Sequence, residues 1–216
     1  MMIMKNEDGR PVLLSMVNAV HENKQFLGDV DGMIGDGDHG MNMNKGFMMF
    51  SEELGANNIS FSEGLSMLGT TLFQKIGGSM GPIYGTIFMS MADKIEDKEN
   101  INLKDFSEML QSALDGLYDI VDARPGDKTI VDTLYPASQY LNKAASENVA
   151  FDEALDQMKD IAQKGMESTK GMIAKFGRAS RLGERSLGVQ DAGATSCYII
   201  LSAMADGMRS VLQEVQ

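Results

Sequence analysis

Apolar residues recur every three or four positions along almost the whole of this 216-residue chain. That period fits a helix with one buried face and does not fit a strand. Val12, Leu13, Met16, Val17, Val20 and Leu27 form a first stripe. Leu65, Leu68, Leu72 and Phe73 form a second, and Ile83, Ile87, Phe88 and Met91 a third. Phe106, Met109, Leu110, Ala113, Leu114, Leu117 and Val121 mark a clean amphipathic helix. Ile130, Leu134, Ala137 and Leu141 follow the same spacing, as does the run from Phe151 through Leu155, Met158, Ile161, Ala162 and Met166 to Ile173. The stretch Ala194–Leu212 is apolar on most sides and reads as a central helix. No run of alternating β-branched residues competes with this pattern. The spacing predicts an all-α domain of about eight helices, without a boundary or linker anywhere in 1–216.

Helix starts agree. Ser60 with Glu63 three residues on is a capping box, and Asn102 is placed to cap the helix that begins at Leu103. The links between helices fall into two kinds that alternate along the chain. Those near 54–59, 95–102 and 146–150 are plain and polar. Those near 28–40, 75–82, 122–128 and 175–193 are rich in Gly, Asp, Arg and His. In an up-and-down bundle alternate links lie at the same end. The four unusual links should therefore meet at one rim, the usual place for functional residues on a rigid scaffold.

The first of them runs from Asp29 to Asn44 and sets Asp31, Asp36 and Asp38 among glycines. Carboxylates held this close repel one another unless a cation sits between them. Magnesium takes oxygen ligands from a few carboxylates, phosphates and water, so the three are candidate metal ligands, for one ion or for a bridged pair. The alternative is a Gly/Asp-rich turn that caps the next helix, and Asp29 reads as the end of the first helix. The spacing is not that of an EF-hand. His39 and Asn42 follow at a helix start, where backbone N–H groups and the helix dipole favour a phosphate. Gly77-Gly78-Ser79-Met80-Gly81-Pro82 is a second glycine-rich helix start that a phosphate could approach. In Arg124-Pro125-Gly126-Asp127-Lys128-Thr129, Asp127 is placed to cap a helix. The last link, Gly177–Ser196, is long and basic in an otherwise acidic chain, and reads as a lid whose arginines meet phosphate or a planar base.

The formal net charge of −12 repels a phosphate backbone, which argues against nucleic acid as a partner. No apolar run reaches the roughly 20 residues of a membrane helix. MMIMKNEDGR lacks the pattern of a signal peptide. The single cysteine, Cys197, lies in an apolar run and reads as a buried small hydrophobe. Together these predict a cytoplasmic location. The 19 methionines fall mostly at core spacing.

Three motifs, Gly35-Asp36-Gly37-Asp38-His39-Gly40-Met41-Asn42-Met43, Pro125-Gly126-Asp127-Lys128-Thr129, and Gly177-Arg178-Ala179-Ser180 with Leu182-Gly183-Glu184-Arg185-Ser186, resemble the L subunit of dihydroxyacetone kinase in order and spacing over about residues 10–212. The resemblance implies an eight-helix antiparallel barrel with ADP or ATP at one end. It implies that Asp31, Asp36 and Asp38 hold two magnesium ions bridged to the phosphates. His39, Gly40, Met41 and Asn42, with Ser79 and Met80, would line the phosphates. Ile130, Arg178 and the turn Asp191-Ala192-Gly193 would surround the nucleoside.

In that family the keto-sugar sits on a separate K subunit, and in many bacteria a phosphotransferase-system protein is the phosphoryl donor. Both become expected partners, while the assembly state stays open, with a homodimer among the options. The implied activity is transfer of a phosphoryl group to dihydroxyacetone or a related keto-sugar, with the three aspartates and Arg178 as the catalytic set. The chain departs from the family where Gly-Gly-Ala-Ser-Gly is usual and Gly77-Gly78-Ser79-Met80-Gly81 stands, and where His-Gln-Asp-Pro-Gly is usual and Val189-Gln190-Asp191-Ala192-Gly193 stands. These changes point toward a different keto-sugar such as a tetrulose. Two rivals remain at this level: a regulatory nucleotide-binding protein without catalysis, and a magnesium-dependent nucleotide hydrolase.

Overall fold

A computed structural model describes residues 2–214. Among them are eight α-helices: α1 (Arg10–Ile34), α2 (His39–Leu54), α3 (Phe61–Lys75), α4 (Met80–Asp93), α5 (Leu103–Ile120), α6 (Val131–Ser146), α7 (Phe151–Ser168) and α8 (Ala192–Val211). Each helix packs on the next, and α8 closes the ring against α1. The all-α, up-and-down reading of the sequence holds. Most of the stripes named above line the interior, where Val12, Met16, Leu65, Phe88, Phe106, Leu134, Leu155 and Met204 are all buried; Phe73, and Ile173 beyond the end of α7, are exposed instead. Cys197 is a buried free thiol, as its apolar setting predicts.

Three short strands were not legible from alternation. β1 (Met2–Lys5) pairs antiparallel with β2 (Asn100–Ile101) on one side and β3 (Gln213–Glu214) on the other. Pairs of two residues show no period, and their register is set by helices that end nearby. The sheet ties both ends of the described chain to the link after α4, at the end of the barrel away from the unusual links.

The plain links differ from the unusual ones in how their helices begin. Ser60 and Asn102 form complete capping boxes with Glu63 and Asp105, each side chain bonding the other's backbone N–H. At the opposite rim neither Asp38 before α2 nor Ser79 before α4 makes a side-chain capping bond. Apart from His39 N–H, which donates to Asp31 Oδ2 at 3.4 Å, the first-turn N–H groups of those two helices have no capping side chain. α1 and α7 also begin without side-chain caps, so it is the position of α2 and α4 beside the carboxylates that matters.

Candidate functional site

The four unusual links converge on one cavity of about 710 Å³, a size that suits a nucleotide. Its wall includes Asp31, Asp36, Asp38, His39, Asn42, Ser79, Met80, Ile130, Arg178, Asp191, Ala192 and Gly193. Two expected residues stand apart from it. Met41 is 58% exposed and faces outward. Gly40 is buried against α1, where a Cβ would overlap the Lys24 carbonyl. Gly40 is thus required for the close crossing of α1 and α2, whatever it does for a ligand. A second, open groove of about 1200 Å³ runs along α3. It mixes lysines with acids and gathers no triad of metal-ligating groups.

Asp31 is not on a loop as expected: α1 continues to Ile34, and the turn proper is Gly35–Asp38. Asp31 projects from the last turn of α1, and a Cβ at Gly35 would overlap its Oδ1. Gly37 adopts φ +77°, a left-handed conformation that brings Asp36 and Asp38 back toward it. One oxygen from each of the three carboxylates then lies within 4.8 Å of the others. It is the one such group of three or more among the described residues. Hard oxygen donors at this spacing, beside two helix N-termini, fit a magnesium ion shared with phosphate. Arg178 forms an ion pair with Asp36.

His39 begins α2 and is 7% exposed. Its Nε2 lies 2.8 Å from Ser196 Oγ on α8, and Ser196 Oγ lies 2.6 Å from the Tyr84 hydroxyl on α4. Burial pulls the imidazole down to about 4, although Asp31 nearby acts in the opposite direction. At neutral pH the ring is therefore uncharged. Its expected place beside phosphates is as a neutral hydrogen-bonding group, not as a cation.

Across the cavity Asp191 caps α8 by accepting from Ala194 N–H at 2.8 Å. Its enclosed carboxyl is pushed up to about 6 by burial, against the pull of that N–H. Lys128 is 1% exposed with φ +63°. Its Nζ donates to the Thr169 carbonyl at 2.5 Å and to the Val189 carbonyl, and burial lowers its pKa. One ammonium thus joins three segments that frame the Asp191-Ala192-Gly193 turn. Asp127 does not cap α6, contrary to expectation. It accepts from Arg124 N–H and pairs with Lys175, while Asp132 reaches back to Gly126 and Thr129 N–H. The long basic link is also more ordered than a bare lid, since Arg178–Ser186 forms 3-10 turns broken at Gly183.

Sequence reasoning missed Lys128, Tyr84 and Ser196. Lys128 lies inside a quoted motif and could have been found. Tyr84 and Ser196 look like ordinary interior positions of helices, and nothing local marks them. A further feature became visible only in three dimensions. Among the described residues the nine exposed large apolar side chains, Phe26, Met33, Met41, Phe73, Ile120, Tyr135, Ile173, Phe176 and Leu187, all lie in the rim half of their helices or in rim links.

This cavity, with its acidic triad between two helix starts, lies at one rim of a helical barrel, and sequence comparison gives the barrel a family. Residues 33–206 match the DAK2 domain family, and the chain belongs to that family. It is 38% identical over 184 residues to the "PEP-dependent dihydroxyacetone kinase, ADP-binding subunit DhaL" of Escherichia coli, covering 84% of this chain and 87% of that one. It is 35% identical to the corresponding "dihydroxyacetone kinase 1, ADP-binding subunit DhaL" of Listeria innocua, over 86% and 88%. An "L-erythrulose kinase" of Pectobacterium atrosepticum is 30% identical over 87% of this chain, which spans 32% of that protein. Among solved structures, the dihydroxyacetone kinase of C. freundii shares the fold with a TM-score of 0.70 at 23% identity, covering 90% of this chain and 33% of that one. The same kinase in complex with AMP-PNP and Mg2+ gives 0.65 at 23% identity, with the same coverage. No helix among the described residues is long and apolar enough to cross a membrane.

Proposed function

We infer that this chain, as one domain over 1–216, is the nucleotide-carrying subunit of a kinase. It holds ADP or ATP and passes a phosphoryl group to dihydroxyacetone or a related keto-sugar on a partner K subunit. A phosphotransferase-system protein is the proposed donor that recharges the nucleotide. The observation that carries this reading is the meeting of Asp31, Asp36 and Asp38 with two helix N-termini lacking side-chain caps at the mouth of one nucleotide-sized cavity.

Asp31, Asp36 and Asp38 would hold two magnesium ions. Bound magnesium neutralises charge on phosphate oxygens and orients them for in-line transfer. The first turns of α2 and α4 offer N–H donors to those oxygens, with Asn42 and Ser79 beside them. Ile130 gives an apolar surface and Asp191-Ala192-Gly193 a turn, both suited to the nucleoside. Arg178, paired with Asp36, can exchange that partner for a phosphate oxygen. With the acceptor on another protein, no general base is needed from this chain.

The apolar side chains around the rim support the partner part of the reading, because exposed Met33, Phe176 and Leu187 at the cavity end of the barrel suit a second subunit. A cytoplasmic setting goes with that assembly. The erythrulose kinases among the relatives support an acceptor class broader than dihydroxyacetone.

The test is to denature the purified protein and identify what it releases. ADP with about two magnesium ions per chain is expected. Asp36→Ala should lose both. Retention of nucleotide and magnesium by that variant, or transfer to sugar without any K subunit, would overturn the assignment.

A further inference from the structure

We propose that Ser196 and Tyr84 are positioning residues that make His39 a phosphate donor, by giving Nε2 a proton to accept and so placing the imidazole's one N–H on Nδ1. The inference rests on the functional reading above and specifies how one side of the phosphate subsite works.

The geometry begins with three helices. His39 is the first residue of α2, Tyr84 lies on α4 and Ser196 on α8. Tyr84 is 3% exposed and Ser196 fully buried. Their oxygens are 2.6 Å apart, and Ser196 Oγ is 2.8 Å from His39 Nε2. Nε2 is thus taken up by Ser196, which is not part of the cavity wall that the ring itself lines. Among the described residues every wholly buried side-chain nitrogen or oxygen has a hydrogen-bond partner. Nδ1 has none, so it is the nitrogen through which the ring meets the cavity.

A neutral imidazole carries one N–H, and each hydroxyl donates once. Ser196 Oγ has three acceptors in reach, His39 Nε2, the Tyr84 hydroxyl at 2.6 Å and the Gly193 carbonyl at 3.1 Å. When Ser196 donates to Gly193, or to Tyr84 while Tyr84 donates to Gly193 at 3.3 Å, the ring must donate from Nε2, and Nδ1 can only accept. An acceptor facing a phosphate oxygen is repelled. When Ser196 donates to Nε2, Tyr84 donates to Ser196, every short contact contains one hydrogen, and Nδ1–H faces the cavity. The Gly193 carbonyl loses little, since it lies in the first turn of α8 where helical N–H groups can reach it. Rotation of one buried hydroxyl therefore selects the tautomer, and an anion in the cavity favours the second arrangement. The ring then donates to phosphate without adding a buried charge beside the carboxylate triad.

The chain has two histidines, so ¹⁵N-histidine spectra need only a His21→Gln comparison for assignment. In the full-length protein with magnesium and ADP, His39 should carry its proton on Nδ1. In Ser196→Ala it should move to Nε2, and ADP should bind about tenfold or more weakly. Tyr84→Phe should shift the tautomer part of the way, without the loss of a side-chain volume. Nδ1 left unprotonated in the wild-type ADP complex would overturn the proposal, and that measurement needs no variant to fold. Unchanged tautomer and affinity in both variants would do the same. Failure of the wild type to bind ADP would instead overturn the functional reading, and this inference with it.

Discussion

Asp38→Asn should make the metal-free protein more stable and the liganded protein less so. The substitution keeps shape and removes one charge. Asn serves as well as Asp before a helix, and Asp38 makes no side-chain capping bond to lose. Its carboxylate oxygen lies within 4.8 Å of those of Asp31 and Asp36. At the dielectric of water, two unit charges at that distance repel by about 0.9 kcal/mol. Two such pairs, with Asp36 partly neutralised by Arg178 and with salt screening, leave about 1 kcal/mol of relief. In a chain of this size that raises the unfolding midpoint by about 2–4 °C. The assay is thermal unfolding in chelator and again in magnesium with ADP. At a hundredfold excess over Kd the wild type gains about 2.7 kcal/mol, enough to reverse the order if the variant gains little. A variant that is less stable in chelator would refute the repulsion argument. One that gains as much as the wild type from magnesium and ADP would remove Asp38 from the metal site.

Other outcomes follow from single residues. His39, held near 4 in the folded protein, binds its proton more readily when unfolded. Its neutral burial therefore contributes stability above pH 6.5 that is lost as pH falls toward 4, about 3 kcal/mol in all at 1.36 kcal/mol per pH unit. Asp191, raised to about 6, acts in the opposite sense and costs stability as pH rises from about 4 to 6. The two should nearly offset in urea titrations of the wild type. Relative to it, His39→Gln should lose stability on going from pH 4 to 6 and Asp191→Asn should gain, and parallel curves for all three would refute both assignments. Lys128→Met leaves the Thr169 and Val189 carbonyls without their donor and should cost about 2–5 kcal/mol in chemical denaturation; a cost under about 0.5 kcal/mol would show the ammonium to be dispensable. Leu187→Ser, outside the cavity wall, should leave ADP binding unchanged and weaken association with the K subunit, measured by calorimetry, whereas equal affinity would move the docking surface elsewhere.

The parts legible in sequence were those encoded by period and by local chemistry. Leu65, Leu68 and Leu72 repeat at helical spacing because each needs the same buried face, and Ser60 with Glu63 signals a cap within four residues. Asp36 and Asp38 could be read together because Gly37 joins them. Asp31 was grouped with them, as the structure places it, but put on a loop, since the glycines at 28, 32 and 35 resemble a turn. In the structure Gly35 instead leaves room for the Asp31 carboxylate at a helix end. Asp127 looked like a cap because Asp often is one, yet Lys175, 48 positions away, takes one of its oxygens.

Groups that act across the barrel left no local trace at all. Ser196 lies 157 positions from His39 and 112 from Tyr84, and each falls on a helix face that hydrophobic spacing already explains. A buried serine amid Ala194, Cys197 and Ile200 costs free energy unless its hydroxyl is satisfied. The polar atoms that satisfy it here belong to the ring of His39, the phenol of Tyr84 and the carbonyl of Gly193. That is the physical reason this contact can be both structural and functional: the requirement that buries Ser196 with partners also fixes how His39 faces the cavity. In the proposed function the carboxylate triad binds through charge, which the sequence displays openly. In the proposed role of His39 the ring binds through the placement of one proton, and that placement depends on two helices far from it in the chain.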